Sequence, residues 1–486
     1  VTAALSPTGE QQEILDTFPC DGNLVIAARA GTGKTATLQM LAESTRHRGK
    51  YIAYNKAPVV EARARFPKNV DCTTAHALAY RPVGVKYKDR LDAERVPLAK
   101  AARILQINYA VTFDDKVLQP AQVARLAMET VERFCHSADP ELGKWHVPVV
   151  AGLDGDAHKA AVRQAVFPLA VRVWDDLQKT RGEFRFTPDH FLKIWALGNP
   201  VISGDFALYD EAQDADRVML GVMLLQGLKV VAVGDPCQAI YGWRGAVDAL
   251  DQFDAKHRLY LAKSFRFDQL IADEGNVWLQ LLGAEPLVTG VSKTPSTVGP
   301  LDLPRAILCR TNGGAMSAVL GQMAQHRRVY LVGGGEDIRR FAEAAIDLKA
   351  GRTTTHPELC AFLNWGQVQE YVAEAHDGKE LKVSVDLIDR YGPDMIIATV
   401  GRLAWKPDRA DVTVATAHRT KGLEFESVQI GSDFHEPEET EDGGLGEWSR
   451  EELMLNYVAM TRAKRALDLG GLAGGRKYLK TPSLCP

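Results

Sequence analysis

The chain has 486 residues, too many for a single hydrophobic core, and 46% of them are hydrophobic, enough to furnish several cores. Its 58 basic and 62 acidic residues leave a net charge of −4, which excludes a protein that coats nucleic acid by charge alone, though not one that grips a few phosphates in a local patch. Seven cysteines scattered without a Cys-x-x-Cys pair exclude a zinc or disulfide frame and read as reduced thiols.

In chain order, the apolar run Leu24-Val25-Ile26-Ala27 reads as a strand, and it leads directly into Ala28-Arg29-Ala30-Gly31-Thr32-Gly33-Lys34-Thr35. A strand, a glycine loop and then a helix make a phosphate cradle. Gly31 and Gly33 let the backbone N–H groups turn inward, with Ala30 and Thr32 between and beside them; Lys34 reaches the β and γ oxygens, and Thr35 offers a hydroxyl to Mg²⁺. Ala28 stands where the general pattern has its first glycine. Apolar spacing then predicts helices over 116–135 and 157–179, the first through Val123, Leu126, Ala127, Val131 and Phe134.

A strand over Val201–Leu208 leads to Asp210 and Glu211, adjacent carboxylates suited to holding Mg²⁺ and to polarising an attacking water, respectively. The next strand, Leu228–Val233, runs into GDPCQAIYGWRGA at 234–246, whose polar residues emerge at the carboxyl edge of a parallel sheet. There Gln238 is placed to sense a γ-phosphate, while Tyr241, Trp243 and Arg244 offer stacking faces and a phosphate partner to single-stranded bases. Farther on, strands are predicted at Ala306–Cys309, Val329–Gly335 and Val412–Thr416. Segment 364–399 suggests one helix, Trp365–Ala375, and few strands, and the acidic run 436–442 reads as a solvated loop.

With these strings in place, the chain resembles the superfamily 1 DNA helicases of the UvrD, Rep and PcrA type. The matching stretches are GDPCQAIYGWRGA, Leu261-Ala-Lys-Ser-Phe-Arg266, Arg310-Thr-Asn312, VATAHRTKGLEFESVQI at 414–430 and EELMLNYVAMTRAKRAL at 451–467. Residues 51–80 and TPDHFLKIW at 187–195 look like the branch that includes the F-box DNA helicases. Because the nucleotide-binding core begins almost at residue 1 and few residues follow Leu467, neither an F-box-like segment nor a fused nuclease is expected within this sequence.

The resemblance implies an α/β fold with two RecA-like P-loop domains, parallel sheets flanked by helices, a helical 1B insertion and a reduced 2B insertion. The expected division is 1–84 and 181–262 for domain 1A, 85–180 for 1B, 263–336 and 406–486 for domain 2A, and 337–405 for the reduced 2B. It further implies that Gln11 reads adenine, that Phe265 stacks on it in place of the usual tyrosine, that Glu424 contacts the ribose, and that Arg266 and Arg462 reach across the cleft to the γ-phosphate. Strand contacts are implied at Asn55, Thr74, His76, Tyr241, Trp243, Arg244, Arg310, Asn312, Thr416 and His418. Relatives carry a base-stacking Phe followed by Thr before the residues matching Asn55-Lys56, and this chain has Ala53-Tyr54. The aromatic has moved by one position, so on a strand end it would point the other way.

The expected function is ATP- and Mg²⁺-dependent 3′-to-5′ translocation on single-stranded DNA with separation of tailed or forked duplexes, helped by a protein partner. Rival readings are an ATPase that strips proteins from single strands and a nucleotide-gated subunit of a repair or defence complex. No stretch is long and apolar enough to span a bilayer and the start shows no signal-peptide pattern, so no membrane partner is expected and an intracellular location, cytoplasmic if bacterial or viral, follows.

Overall fold

The computed structural model describes residues 6–53, 56–94, 96–113, 116–241, 248–374, 379–434, 436–437 and 444–480. Two six-stranded sheets organise the chain, and every strand pair within them is parallel. The first contains β1 (Asn23–Ala28), β2 (Gly49–Ala53), β3 (Val70–Thr74), β4 (Phe206–Tyr209), β5 (Lys229–Gly234) and β6 (Ala255–Leu261), in the order β3-β2-β4-β5-β1-β6. The second contains β7 (Thr297–Val298), β8 (Ala306–Cys309), β9 (Val329–Leu331), β10 (Val412–Thr416), β11 (Phe425–Ile430) and β12 (Ala463–Asp468), in the order β7-β12-β11-β8-β10-β9.

The central strands β1, β4, β5 and β8 are covered on both faces and are apolar runs, whereas β6, β11 and β12 alternate buried and more exposed positions. In β1, Leu24 and Ile26 face Leu38 and Leu41 of the helix Lys34–Glu43, whereas Val25 faces the opposite core. That opposite core also takes Val123, Leu126, Val131 and Phe134 of the helix Pro120–Cys135, together with Val166, Ala170 and Val173 of the helix Asp156–Leu177. Full burial of such a side chain stabilises by about 1.5–3 kcal/mol, so the 3.6-residue stripe on the Pro120–Cys135 helix is enough to bind the helical lobe to the sheet. The predicted helix over 116–135 begins only at Pro120. Residues 116–118 instead pair antiparallel with 111–113, and Pro120 takes the first helical position, where it has no N–H to lose.

Two other elements differ from expectation. The strand expected over Val201–Leu208 forms only at Phe206–Tyr209, because Gly204 turns the backbone at φ 136° just before it. Segment 364–399 carries three helices, Trp365–Glu374, Lys379–Tyr391 and Pro393–Val400, rather than one. Their residues Val368, Val385, Ile388 and Ile396 share a core with Ile307, Leu331, Val412 and Val414 of the second sheet. The opposite face of that sheet packs on Trp278, Tyr457 and Val458, and the same core receives Ala30, Cys237 and Ile240 from the first sheet's loops. The two sheets therefore meet through a continuous apolar contact.

Candidate functional site

The order of the first sheet sets β4, β5 and β1 side by side, so the loops after their carboxyl ends converge. Those loops carry Glu211, Gln238 and the glycine loop. Gly31 and Gly33 have φ of 73° and 79°, a left-handed backbone that favours glycine. A Cβ on Gly31 would also lie 2.6 Å from the Cβ of Arg266, so the close approach of the second unit requires glycine there. Thr32 Oγ1 donates to the carbonyl of Arg29 at 2.8 Å, pinning the turn, and the helix from Lys34 points its free N–H groups into the cradle.

Lys34 Nζ donates to Glu211 Oε1 at 2.8 Å. Burial of its ammonium is outweighed by the charges of Glu211 and Asp210, which raise its pKa. Glu211 sits at φ 54°, a left-handed conformation that costs a non-glycine residue about 1–3 kcal/mol and is held because it aims the carboxylate at Lys34. Gln213 Nε2 donates to its other oxygen at 2.6 Å. Asp210 accepts from the Tyr51 hydroxyl at 2.6 Å. Burial and the adjacent Glu211 charge push Asp210 above the ordinary carboxylate range. Glu211, although burial works the other way, is held well below it by Lys34 and Lys421.

From the second unit, Arg462 Nη2 donates to Gln238 Oε1 at 3.1 Å, and Gln238 Nε2 donates to Asp235 at 2.7 Å. Arg462 is buried and also holds the carbonyls of Val458 and Leu423; burial and the neighbouring Arg266 press its pKa down to about 9. Arg266 pairs with Glu424 at 2.9 Å and donates to the carbonyl of Thr461. Arg462 and Glu424 immediately precede β12 and β11, which are neighbours, so the amino edge of the second sheet faces the cradle. Phe265 is half exposed, its ring 3.8 Å from where a Cβ of Gly33 would lie, with the Gln11 amide 3.7 Å from the same point. Gln11, Gly33 and Phe265 thus surround one space beside the cradle. Thr35 is half-buried at the start of the helix, and its hydroxyl and the Asp210 carboxylate are both oxygen donors, the kind Mg²⁺ prefers.

The residues expected to meet a nucleic-acid strand separate into groups. Thr74 ends β3 and caps the helix Ala75–Tyr80, and His76 Nε2 lies 2.8 Å from Asp189 Oδ1. On the second sheet β8 and β10 are adjacent, so Asn312, just beyond the carboxyl end of β8, and Thr416, the last residue of β10, line one small cavity with Leu331 and Arg419. Arg310 forms a two-pronged contact with Glu452, at 2.9 and 2.8 Å. Tyr241, expected as a stacking face, has its hydroxyl on the carbonyl of His418 at 2.8 Å and its ring under Lys421, which places it between the two sheets. Tyr54, Asn55, Trp243 and Arg244 lie outside the described residues.

Several residues that bind the site together were not anticipated. The amide of Ala30 donates to the Tyr457 hydroxyl at 3.1 Å, and Arg29 joins Asp235 at 3.3 Å to the carbonyl of Pro286 at 2.9 Å. Lys421 bridges Asp214 and the carbonyl of Gln238. The Arg29–Asp235 pair joins two loops of the first sheet, and the other contacts reach from that sheet's loops to the second unit. All three residues lie inside strings already singled out, and it is their partners, hundreds of positions away, that sequence did not reveal.

Comparison with known proteins gives two family matches, an AAA domain over residues 11–244 and a UvrD-like helicase C-terminal domain over residues 402–470. F-box DNA helicase 1 of Gallus gallus is 28% identical over 500 residues, covering 95% of this chain and 48% of that protein. F-box DNA helicase protein 1 of Schizosaccharomyces pombe is 29% identical over 527 residues, covering 95% of this chain and 57% of its own length. The chain therefore spans about half the length of the curated relatives it matches. A solved structure titled "The structure of PRRSV helicase" aligns with 92% of this chain and 51% of its own at 11% identity, with a TM-score of 0.30.

Proposed function

We propose that the chain, which matches an AAA domain over residues 11–244 and a UvrD-like helicase C-terminal domain over residues 402–470, is a UvrD-like superfamily 1 helicase, an ATP- and Mg²⁺-dependent motor that moves 3′ to 5′ along single-stranded DNA and separates tailed or forked duplexes. The observation that carries this reading is the contact of Arg462 with Gln238, which brings a cation of the second sheet to the loop beside Lys34 and Glu211. On this reading Lys34 and the backbone of Ala30 to Gly33 hold the phosphates, Gln11 and Phe265 hold the adenine, and Glu424 is at the ribose. Thr35 and Asp210 would hold Mg²⁺, which would supply positive charge against the phosphates.

Glu211 is ionised beside Lys34 and accepts the proton of the attacking water, while Arg266 and Arg462 stabilise charge on the transferred group. Because cradle and arginines belong to different sheets, the cleft is completed only when the two units approach. Thr74 and His76 on one unit and Arg310, Asn312, Thr416 and His418 on the other would then step along the strand as the cleft opens and closes, with Asn55, Tyr241, Trp243 and Arg244 contributing to the grip. The resemblance to the branch carrying the Tyr241-Gly-Trp243-Arg244 string supports the 3′-to-5′ direction. Residues 85–180 act as the 1B lobe and 337–405 as a reduced 2B equivalent.

ATP turnover measured side by side with single-stranded DNA, duplex DNA and RNA tests the proposal. Strong stimulation by single-stranded DNA is expected. Turnover indifferent to all three polymers would overturn it.

A further inference from the structure

We infer that Asp189 is a positioning residue for His76 and that Asp189, His136 and Asp216 form a histidine–carboxylate relay joining the strand contact to the hydrolytic loop; the inference rests on the proposed role of His76 at the strand. The helix Pro188–Leu197 holds His76. Asp189 Oδ1 lies 2.8 Å from its Nε2, and Phe191 packs edge-to-face on its ring at 6.2 Å. Asp189 occupies the first turn of that helix, where the helix dipole favours a carboxylate.

The second oxygen of Asp189 turns toward another histidine. His136 terminates the helix Pro120–Cys135, with Nε2 3.9 Å from Asp189 Oδ2 and Nδ1 3.2 Å from Asp216 Oδ2. Each nitrogen of this imidazole thus faces a carboxylate. Asp216 is used completely, because its other oxygen accepts from the amides of Val218 and Met219 and caps the helix Arg217–Leu224. Between Asp216 and Glu211 the chain is only a few residues long, and it is tied internally, since Gln213 donates to Glu211 and to Asp214.

Basic and acidic groups therefore alternate from His76 through Asp189, His136 and Asp216 to the segment that aims Glu211. A single pair would suffice to anchor any one of these elements. The alternation instead joins three helices to the loop after β4, and it begins at a residue proposed to touch the strand. A phosphate or base that draws His76 toward itself changes the bond to Asp189, lets Asp189 pull on His136, and so shifts the cap from which the Glu211 loop is hung.

The test uses the full chain, titrating ATP turnover with oligodeoxythymidylate. Asp189→Asn keeps an acceptor oxygen and the side-chain shape while losing the charge. It is expected to raise the half-stimulating strand concentration about tenfold, the scale of one charge-assisted hydrogen bond, with KM for ATP and the melting temperature unmoved. His136→Gln is expected to lower the maximal stimulated rate more than the strand affinity, and the double variant to fall short of the product of the two single effects. If His76→Ala leaves strand dependence unchanged, the strand contact fails and the relay with it. If His76→Ala impairs it while Asp189→Asn and His136→Gln behave as wild type, the relay alone is overturned. Should Asp189→Asn not fold, a wild-type response of His136→Gln overturns it equally.

Discussion

Lys34→Ala and Glu211→Gln should both abolish turnover, for opposite reasons that nucleotide binding will separate. Glu211 accepts from Lys34 on one oxygen and from Gln213 on the other, at 2.8 and 2.6 Å. An amide at this position can accept on only one side, so one of the two hydrogen bonds is lost, a cost of about 1 kcal/mol that leaves the fold intact. The substitution also frees Lys34 from a competing negative charge, so nucleotide affinity should hold or improve. What disappears is the base for the attacking water, worth about 10²–10⁴-fold in rate.

Lys34→Ala removes the cation itself and leaves Asp210 and Glu211 facing the phosphates without compensation. The loss of charge-assisted bonds of about 1.5–3 kcal/mol predicts nucleotide binding weaker by roughly 10- to 150-fold. Steady-state turnover together with equilibrium binding of a fluorescent ATP analogue reads both quantities. Near-normal turnover in either variant, or a tenfold loss of binding in Glu211→Gln, would refute the assignment.

Arg29→Met leaves Asp235 buried without its cation. Breaking a buried pair costs about 3–5 kcal/mol, and the bonds from Gln238 and the Cys237 amide to Asp235 argue for the lower end, to be read as a lowered urea midpoint. The hydrogen bond to Asp216 raises the pKa of His136 against the opposing effect of burial. Its contribution to stability is therefore complete below its ordinary pKa and is lost as pH rises through the raised value; the gap between wild type and His136→Gln should be wider at about pH 6 than at about pH 8.5, and a constant gap would contradict this. With 337–405 as the whole 2B equivalent, isolated monomers should translocate on single strands and yet unwind long duplexes poorly unless a partner or further motors block reannealing. A strand-separation assay showing efficient unwinding by monomers would remove that expectation.

The phosphate cradle was legible because everything it needs is local: an apolar strand, two glycines with positive φ and a helix beginning at Lys34. The strand Ala306–Cys309 was legible because burial on both faces writes an unbroken apolar run. The helices of 364–399 were less so. Leu381, Val383 and Val385 alternate as in a strand, and only the burial of Leu381, Val385 and Ile388 at helical spacing decides the matter. Gly392-Pro393, with proline at the first helical position, was a usable signal for the third helix. The long-range ties, Ala30 to Tyr457, Lys421 to Asp214 and His76 to Asp189, depend on how segments far apart in the chain meet, which no local pattern encodes.

The central claim, that ATP hydrolysis in this cleft drives the chain along a strand, is tested most directly by stopped-flow translocation on single-stranded DNA of increasing length carrying a dye at its 5′ end. After ATP is added to preloaded protein, the time to reach the dye should grow linearly with length, and a dye at the 3′ end should show no such delay. An arrival time independent of length at the 5′ end would mean that the protein hydrolyses ATP without moving.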